Sequence, residues 1–168
     1  MIVWIIGLSG SGKSTLAKEV VKKMRIKDKS IIHLDGDLIR ELYENDIGHT
    51  MEDRKINANR ICKLCKFLDD QNIDVVTSIL SIFPESRKWC RENLSRYYEV
   101  FIKTNINILK ERDSKGIYKK YDQGILKNVA GIDIKFIEPE SPDLIINNNG
   151  NLKELLYKSE DIVQQFLK

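Results

Sequence analysis

The sequence lacks the charge and the long apolar runs that mark several protein classes. Its formal net charge is only +3 over 168 residues, whereas a nucleic-acid binder normally has a strongly basic face. No stretch reaches the roughly 18 consecutive apolar residues that a membrane-spanning helix requires. The N-terminal MIVWIIG has no charged segment before its apolar run, which is also too short for a signal peptide. We therefore predict a cytoplasmic protein without a nucleic-acid or membrane partner.

Cysteine is scarce, with only Cys62, Cys65 and Cys90. An odd number argues against a disulfide framework. Cys62 and Cys65 lie three residues apart in RICKLCKFL, a segment expected to be helical, so they share a helix face near Ile61 and Leu68. Because no second pair of ligands accompanies them, we expect these cysteines to pack in the core rather than to bind zinc or carry redox chemistry.

Apolar runs alternate with amphipathic segments along the chain. Predicted strands cover residues 2–6, 31–34, 73–80, 98–103 and 144–146. Predicted helices cover residues 13–25, 38–44, 53–68, 86–94, 105–111 and 151–167. Strands that alternate with helices predict a five-stranded parallel sheet covered on both faces. We expect residues 1–168 to form a single α/β domain.

Residues 113–139 form a long stretch without clear periodicity. The stretch is too long for an ordinary connection between elements, and it contains Gly116, Gly124, Gly131 and several lysines. We expect it to be either disordered or a functional lid.

The glycine-rich stretch GLSGSGKS, residues 7–14, lies between the first predicted strand and the first predicted helix and fits G-x-x-x-x-G-K-[ST]. In this context backbone N–H groups surround phosphate oxygens, and the helix N-terminus adds its positive end. Lys13 would reach the β- and γ-phosphates, and Ser14 could hold Mg²⁺. The motif predicts ATP-binding residues at Gly7, Ser9, Gly10, Ser11, Gly12, Lys13, Ser14 and Thr15.

The sequence lacks two motifs that mark other classes of triphosphate-binding protein. The sequence has no N-K-x-D, which a GTPase uses to read guanine. The third predicted strand continues into SILSIF, whereas a motor or transporter ATPase usually has four apolar residues followed by Asp-Glu. A small-molecule kinase is therefore favoured, since phosphoryl transfer depends on positioning and charge neutralisation.

Two carboxylates follow the second predicted strand in HLDGDLIR, residues 33–40. Ligands of parallel sheets gather at the carboxyl ends of strands, so Asp35 and Asp37 should point toward the phosphate loop. One carboxylate can accept a hydroxyl proton while the other orders Mg²⁺ or its waters, although one of them could simply cap the next helix. Arg40 can bind an anionic acceptor through its guanidinium group. We expect no role for His33.

Several motifs together resemble the adenylyl-sulfate kinases in residue type, order and spacing over nearly the whole chain. They are GLSGSGKST, LDGD with Arg40, DRKINANR, RDSKGIYKK followed by LKNVAGID, and EPESPDLII. The resemblance implies a P-loop three-layer sandwich that uses MgATP to phosphorylate the ribose 3′-hydroxyl of a small nucleotide, with residues 113–139 as its lid. Because members of the family often form dimers, it also implies a homodimer.

The resemblance also implies roles for individual residues. It implies Asp37 as the base of the two carboxylates, Asp35 as its neighbour near the metal, and Lys13 as the third catalytic residue. Arg112 is expected to bind ATP from the lid. The acceptor-binding residues implied are Asp37, Arg40, His49, Arg54, Asn57, Ser81, Lys115, Lys127, Asn128 and Val129.

The acceptor side departs from the pattern of these kinases, whereas the phosphate loop does not. The acceptor adenine is typically sandwiched between two phenylalanines, and this sequence has His49 and Val129 at those positions. Leu38 replaces a usual asparagine, and LSIFP replaces I-S-P-[FY]-R. A lone apolar loop residue usually packs against the nearest core, but this correspondence makes Val129 a residue that faces the base.

The stretch SIFPESRKWCREN resembles a branch of the family linked to bacterial capsule modification. The acceptor in that branch is a cytidine nucleotide that carries a phosphoramidate. We expect such an acceptor here, with adenylyl sulfate as the alternative. A third interpretation, a regulatory domain that binds nucleotide without catalysis, is opposed by the intact Lys13, Ser14, Asp35 and Asp37.

Overall fold

A computed structural model describes all 168 residues of the chain. Five strands form one sheet in the order β2-β3-β1-β4-β5. They are β1 (Ile2–Ile6), β2 (Ile31–Asp35), β3 (Asp74–Ile79), β4 (Tyr97–Lys103) and β5 (Leu144–Asn147). Every strand pair is parallel, which confirms the predicted sheet.

Eight helices accompany the sheet, and none of them is both long enough and apolar enough to cross a membrane. They are α1 (Lys13–Ile26), α2 (Gly36–Leu42), α3 (Met51–Asp70), α4 (Pro84–Asn93), α5 (Ile106–Arg112), α6 (Ile117–Asp122), α7 (Leu152–Tyr157) and α8 (Ser159–Phe166). All residues of the central strand β1 are buried. This burial explains its unbroken apolar sequence, because a central parallel strand is covered on both faces.

Two apolar cores, one on each face of the sheet, give the fold its three layers. On one face, α1 and α8 pack against the strands through residues such as Leu16, Val20 and Ile162. On the other face, α3 and α4 pack through a second core that includes Ile61 and Leu68. The predicted three-layer α/β architecture is therefore confirmed.

All three cysteines lie in the second core, which confirms the core packing predicted for Cys62 and Cys65. Cys62, Cys65 and Cys90 are all buried and none forms a disulfide. The thiol of Cys90 donates a weak hydrogen bond to Cys62 Sγ at 3.6 Å, across the contact between α4 and α3. A buried cysteine of this kind behaves as a small apolar side chain.

Helix α3 begins earlier than the sequence pattern predicts, because a capping box fixes its start. The hydroxyl of Thr50 accepts a hydrogen bond from the Asp53 N–H at 3.2 Å, and the Asp53 carboxylate accepts one from the Thr50 N–H at 3.1 Å. Helix formation therefore starts at Met51. Thr50 is thus the N-cap, and Asp53 completes the capping box as the third residue of the first turn.

The prediction of one terminal helix over residues 151–167 is wrong. Asn151 caps the start, as the pattern suggests, but the helix breaks at Lys158 into α7 and α8. The hydroxyl of buried Ser159 donates to the Leu156 carbonyl at 2.6 Å. Such a local hydrogen bond competes with the regular helical ladder.

Residues 113–139 are ordered, so the alternative of a disordered stretch is wrong. They contain helix α6 and a short bridge between Ala130 and Ile134. Tyr118 is buried, and its hydroxyl donates to the Ser9 carbonyl in the phosphate loop at 3.0 Å. The segment, called the lid below, is therefore held against the phosphate loop, and its function as a lid stays a prediction.

Candidate active site

A cavity of about 540 Å³ opens at the carboxyl ends of β2 and β3, between the phosphate loop, α2, α3 and the lid. Parallel α/β sheets usually bind their ligands at this edge. Most of the site residues predicted from sequence line it. They are Ser9, Gly10, Gly12, Lys13, Ser14, Thr15, Asp35, Asp37, Arg40, His49, Arg54, Asn57, Ser81, Lys115, Lys127, Asn128 and Val129.

Gly7 and Ser11, the other two predicted residues of the phosphate loop, determine the path of its backbone. Gly7 and Ser11 do not line the cavity. A Cβ atom on Gly7 would lie 2.5 Å from Ser11 Oγ and 2.8 Å from the Ile102 carbonyl oxygen, so only glycine fits there. Ser11 is buried, and its carbonyl accepts a hydrogen bond from the Asn148 side-chain amide at 2.8 Å. These two residues therefore set the path of the loop.

Lys13 points back onto the phosphate loop. Its ammonium group donates to the Leu8 carbonyl at 2.7 Å. Burial, followed by the nearby charge of Lys115, lowers the pKa of Lys13 from 10.5 to about 8, although Asp35 and Asp37 act in the opposite direction. A cation that is poorly compensated in this way favours an anionic ligand, since phosphate oxygens would supply the missing charge.

Asp35 is held at both of its carboxylate oxygens. Oδ2 accepts from the Ser14 hydroxyl at 2.5 Å and from the Ser78 hydroxyl at 2.7 Å, while Oδ1 accepts from the Asp37 N–H at 3.0 Å. Burial by itself would raise the pKa of Asp35, but these hydrogen bonds outweigh it and the pKa falls below its ordinary value. Asp35 is therefore ionised, and it also caps α2, as the alternative interpretation proposed for one of the two carboxylates.

The Ser14 hydroxyl and the Asp35 carboxylate form a pair of hard oxygen donors at the phosphate loop. No cluster of three or more His, Cys, Asp or Glu side chains is built to hold a metal alone. Mg²⁺ bound to a nucleotide needs no such cluster, because it keeps several waters and takes phosphate oxygens together with one or two protein oxygens. The donor chemistry at Ser14 and Asp35 therefore fits the metal of MgATP.

Asp37 lies in the first turn of α2 and is more exposed than Asp35. Its carboxylate forms an ion pair with the ammonium group of Lys115 in the lid. This contact joins residues 78 positions apart in the chain. A carboxylate that projects into the cavity in this way is placed to accept a proton from a bound hydroxyl.

Two arginines and an asparagine form the wall on the side of α2 and α3. Arg40 is buried and donates to the Gly48 carbonyl at 2.6 Å. Arg54 donates to the carbonyls of His49 at 3.0 Å and Asn128 at 2.8 Å, so it links α3 to the lid. Asn57 donates to a backbone carbonyl at 3.2 Å, but its Oδ1 atom is buried without a partner. That oxygen can accept a hydrogen bond from a ligand.

Comparison with known proteins identifies the family of this chain. The family model of adenylylsulphate kinase matches residues 1–147. The chain is 40% identical over 158 residues to cytidine diphosphoramidate kinase of Campylobacter jejuni, covering 91% of this chain and 90% of that one. It is 39% identical over 155 residues to the probable adenylyl-sulfate kinase of Bacillus subtilis, covering 91% and 79%. The chain belongs to the adenylyl-sulfate kinase family.

A solved structure extends the comparison to three dimensions. The APS kinase CysC of Mycobacterium tuberculosis, in complex with AMPPNP and APS, superposes with a TM-score of 0.90 at 30% identity, covering 99% of this chain and 97% of that one. As a member of the adenylyl-sulfate kinase family, this protein is an ATP-dependent kinase that phosphorylates a hydroxyl group of a small nucleotide.

At the positions where the family typically has two phenylalanines, this kinase places His49 and Val129 at the same cavity. The His49 side chain stays accessible there, and its partial removal from water, together with the charges of Arg40 and Arg54, lowers its pKa below the ordinary value. Its ring is therefore neutral at pH 7. Val129 is only 4% exposed and packs in a cluster with Leu109 and Tyr118. The core-packing interpretation of Val129 thus holds together with its place in the cavity wall.

Arg112, a further predicted ATP-binding residue, lies outside this cavity, as Gly7 and Ser11 do. Its guanidinium group donates to the Gly150 carbonyl at 2.9 Å. Gly150 lies in the connection between β5 and α7, whose Asn148 contacts the phosphate loop. The ATP contact of Arg112 stays a prediction.

Two residues that no sequence motif predicts also support the site: Ser78, which lines the cavity, and Arg87, which lies outside it and holds the backbone of Ser81. Ser78 is the next-to-last residue of β3 and belongs to no motif, yet its hydroxyl forms hydrogen bonds with both Asp35 and His33. Arg87 is buried and donates to the Ser81 carbonyl at 2.6 Å, where Ser81 has a positive φ of 50°. Only the position of Ser78 at the carboxyl end of a strand could have pointed to the site.

Proposed function

We propose that this kinase transfers the γ-phosphate of MgATP to the ribose 3′-hydroxyl of cytidine diphosphoramidate. The observation that carries the proposal is the base side of the cavity. His49 and Val129 stand where the family typically stacks adenine between two aromatic rings, while the phosphate loop is unchanged. Sequence identity does not decide between the two acceptors, because cytidine diphosphoramidate kinase of Campylobacter jejuni and the probable adenylyl-sulfate kinase of Bacillus subtilis are 40% and 39% identical to this chain.

The energetics of base stacking favour a smaller base. Stacking on an aromatic ring contributes about 1–3 kcal/mol per base, so an adenine bound here would lose that contribution on two faces. A pyrimidine needs less contact area, and neutral His49 can exchange hydrogen bonds with its edge. Arg40 and Arg54 supply planar, permanently charged groups for the acceptor's phosphoryl oxygens.

Each residue of the phosphate side has a separate task in the proposed transfer. Lys13 binds the β- and γ-phosphates, and Ser14 and Asp35 would hold Mg²⁺, which neutralises the charge of the phosphates. Asp37 accepts the proton of the 3′-hydroxyl as the bond from that oxygen to the γ-phosphorus forms. The bond from the γ-phosphorus to the β-phosphate oxygen breaks, and ADP leaves.

Adenylyl sulfate is the second candidate acceptor. It is favoured by the relative in Bacillus subtilis and by the similarity to a structure solved with APS. The third interpretation, a regulatory domain without catalysis, is wrong, because the chain belongs to a family of kinases.

The deciding experiment measures ADP release with MgATP and either acceptor at matched concentrations. We expect kcat/KM to be at least about tenfold higher with cytidine diphosphoramidate, the factor that corresponds to 1.4 kcal/mol. Turnover with adenylyl sulfate alone would refute the proposal.

A variant of the base side sharpens this test. Because Val129 is buried and His49 is exposed, a phenylalanine fits without repacking only at His49. We expect His49→Phe to shift the ratio of kcat/KM toward adenylyl sulfate by about tenfold, since it restores one stacking face. Ile125→Phe, an exposed lid position outside the cavity wall, is the matched control and should leave the ratio unchanged. An equal ratio in both variants would contradict the assignment of His49 to the base.

A further inference from the structure

A chain of hydrogen bonds runs from the edge of the sheet to Asp35. His33 lies in β2, the edge strand, and its Nε2 atom is 2.8 Å from the Ser78 hydroxyl in β3. The Ser78 hydroxyl is in turn 2.7 Å from Asp35 Oδ2. The register of the sheet places Asp35 directly beside Ser78. His33 and Asp35 are two residues apart, so their side chains leave the same face of β2.

The direction of each hydrogen bond in this chain is fixed by chemistry. An ionised carboxylate can only accept, so the single hydroxyl proton of Ser78 is donated to Asp35. The Ser78 oxygen must then accept from His33, which requires the His33 proton to be on Nε2. The order is therefore His33 Nε2–H to Ser78 Oγ–H to Asp35 Oδ2.

Ser78 differs in its role from the other hydroxyl on Asp35 Oδ2. Ser14 donates to the same oxygen at 2.5 Å, but Ser14 is itself a candidate metal ligand. Ser78 also lines the cavity, but its hydroxyl proton is used on the carboxylate, and His33 is the group that orients Ser78. His33 does not line the nucleotide cavity; it lines a separate groove with Lys18 and Lys22 of α1.

We propose that His33 and Ser78 are positioning residues that hold the Asp35 carboxylate in the orientation that receives the metal of MgATP beside Ser14. The inference rests on the proposed metal site at Ser14 and Asp35, and it does not depend on the identity of the acceptor. Outer groups that orient a metal ligand commonly change metal affinity by about 10- to 100-fold when they are removed.

The test measures the Mg²⁺ dependence of AMPPNP binding to the whole protein by titration calorimetry, without an acceptor. We expect His33→Leu and Ser78→Ala each to raise the half-saturating Mg²⁺ concentration by about tenfold, with AMPPNP affinity in EDTA unchanged. His33→Gln keeps an N–H donor near the position of Nε2, and we expect it to restore the half-saturating concentration to within about twofold of the original.

Thr77→Val is the matched control, because it removes a hydroxyl from the neighbouring residue of β3. The Thr77 hydroxyl donates to the Val3 carbonyl at 3.3 Å and takes no part in the chain to Asp35. A purely structural role predicts equal losses of melting temperature and no change in Mg²⁺ dependence. Unchanged Mg²⁺ dependence in His33→Leu, or a shift shared by Thr77→Val, would overturn the inference while the proposed function stands. AMPPNP binding that is independent of Mg²⁺ in the original protein would overturn the metal site of the proposed function as well.

Discussion

The lowered pKa of Lys13 makes MgATP use by this kinase sensitive to pH above neutrality. Its pKa falls from 10.5 to about 8, mainly through burial and secondly through the charge of Lys115. Since one pKa unit corresponds to about 1.4 kcal/mol, the charged form is disfavoured by about 3 kcal/mol in the free enzyme. Phosphate oxygens of the nucleotide favour the charged form, so binding above pH 8 must include the uptake of a proton by Lys13.

The sign and size of the pH effect follow directly. At pH 7 Lys13 is protonated in most molecules, whereas at pH 9 only about a tenth carry the proton. We expect kcat/KM for MgATP to fall about tenfold between pH 7 and pH 9, because this parameter reports groups of the free enzyme. The two histidines do not titrate in this range, since burial lowers the pKa of both His33 and His49 from 6.5.

Lys115→Met separates this explanation from a general effect of pH. Removing the Lys115 charge should move the midpoint of the decline to higher pH, because that charge is the second cause of the lowered pKa of Lys13. The absolute rate will also change, as Lys115 pairs with Asp37, so the midpoint is the quantity to compare. Lys119→Met, an exposed lid residue outside the cavity, should keep the original midpoint. A flat profile from pH 7 to pH 9, or equal midpoints in both variants, would refute the reasoning.

Three further predictions concern single residues. Asp37→Asn should lower kcat by about 10²- to 10⁴-fold and leave the dissociation constant of MgATP within about twofold, as calorimetry can check; undiminished turnover would remove Asp37 as the base. Arg87→Met leaves the Ser81 and Ile137 carbonyls without their donor, so we expect the free energy of unfolding to fall by about 1–3 kcal/mol and Tm by about 3–10 °C. An unchanged melting curve would contradict this expectation. Gly12→Ala places a Cβ 2.5 Å from Leu155 Cδ2 at a φ of 96°, so both Tm and MgATP affinity should fall, and retention of either would argue against the strain.

Local patterns in the sequence were enough to predict the sheet and the phosphate loop. The apolar run of β1 and the following GLSGSGKS predict a buried strand that leads into a phosphate-binding turn, because both depend on residues adjacent in the chain. Asp35 and Asp37 could be placed near this loop by the rule that parallel strands present ligands at their carboxyl ends. Helix boundaries were less accurate where side-chain hydrogen bonds decide them, as Thr50 does at α3 and Ser159 between α7 and α8.

The long-range partners within the site were decided by the tertiary structure. The pairing of Lys115 with Asp37, the link from Arg54 to Asn128, and the bonds of Ser78 to Asp35 all join segments distant in sequence. Both core packing and contact with the base could be proposed for Val129 from sequence, but only the structure shows that it packs against Leu109 and Tyr118 while it also lines the cavity.

Local structure could be predicted from sequence and long-range contacts could not, for a physical reason. Strand and helix formation and the phosphate-binding turn depend on side-chain periodicity and backbone preferences within a few residues, and the order of amino acids records these directly. The direction of a carboxylate or the partner of a lysine depends on which elements the packed sheet brings within about 3 Å, the length of a hydrogen bond. The sequence by itself therefore determined that this protein is a kinase with a phosphate loop. Only the tertiary structure decided how its carboxylates are held.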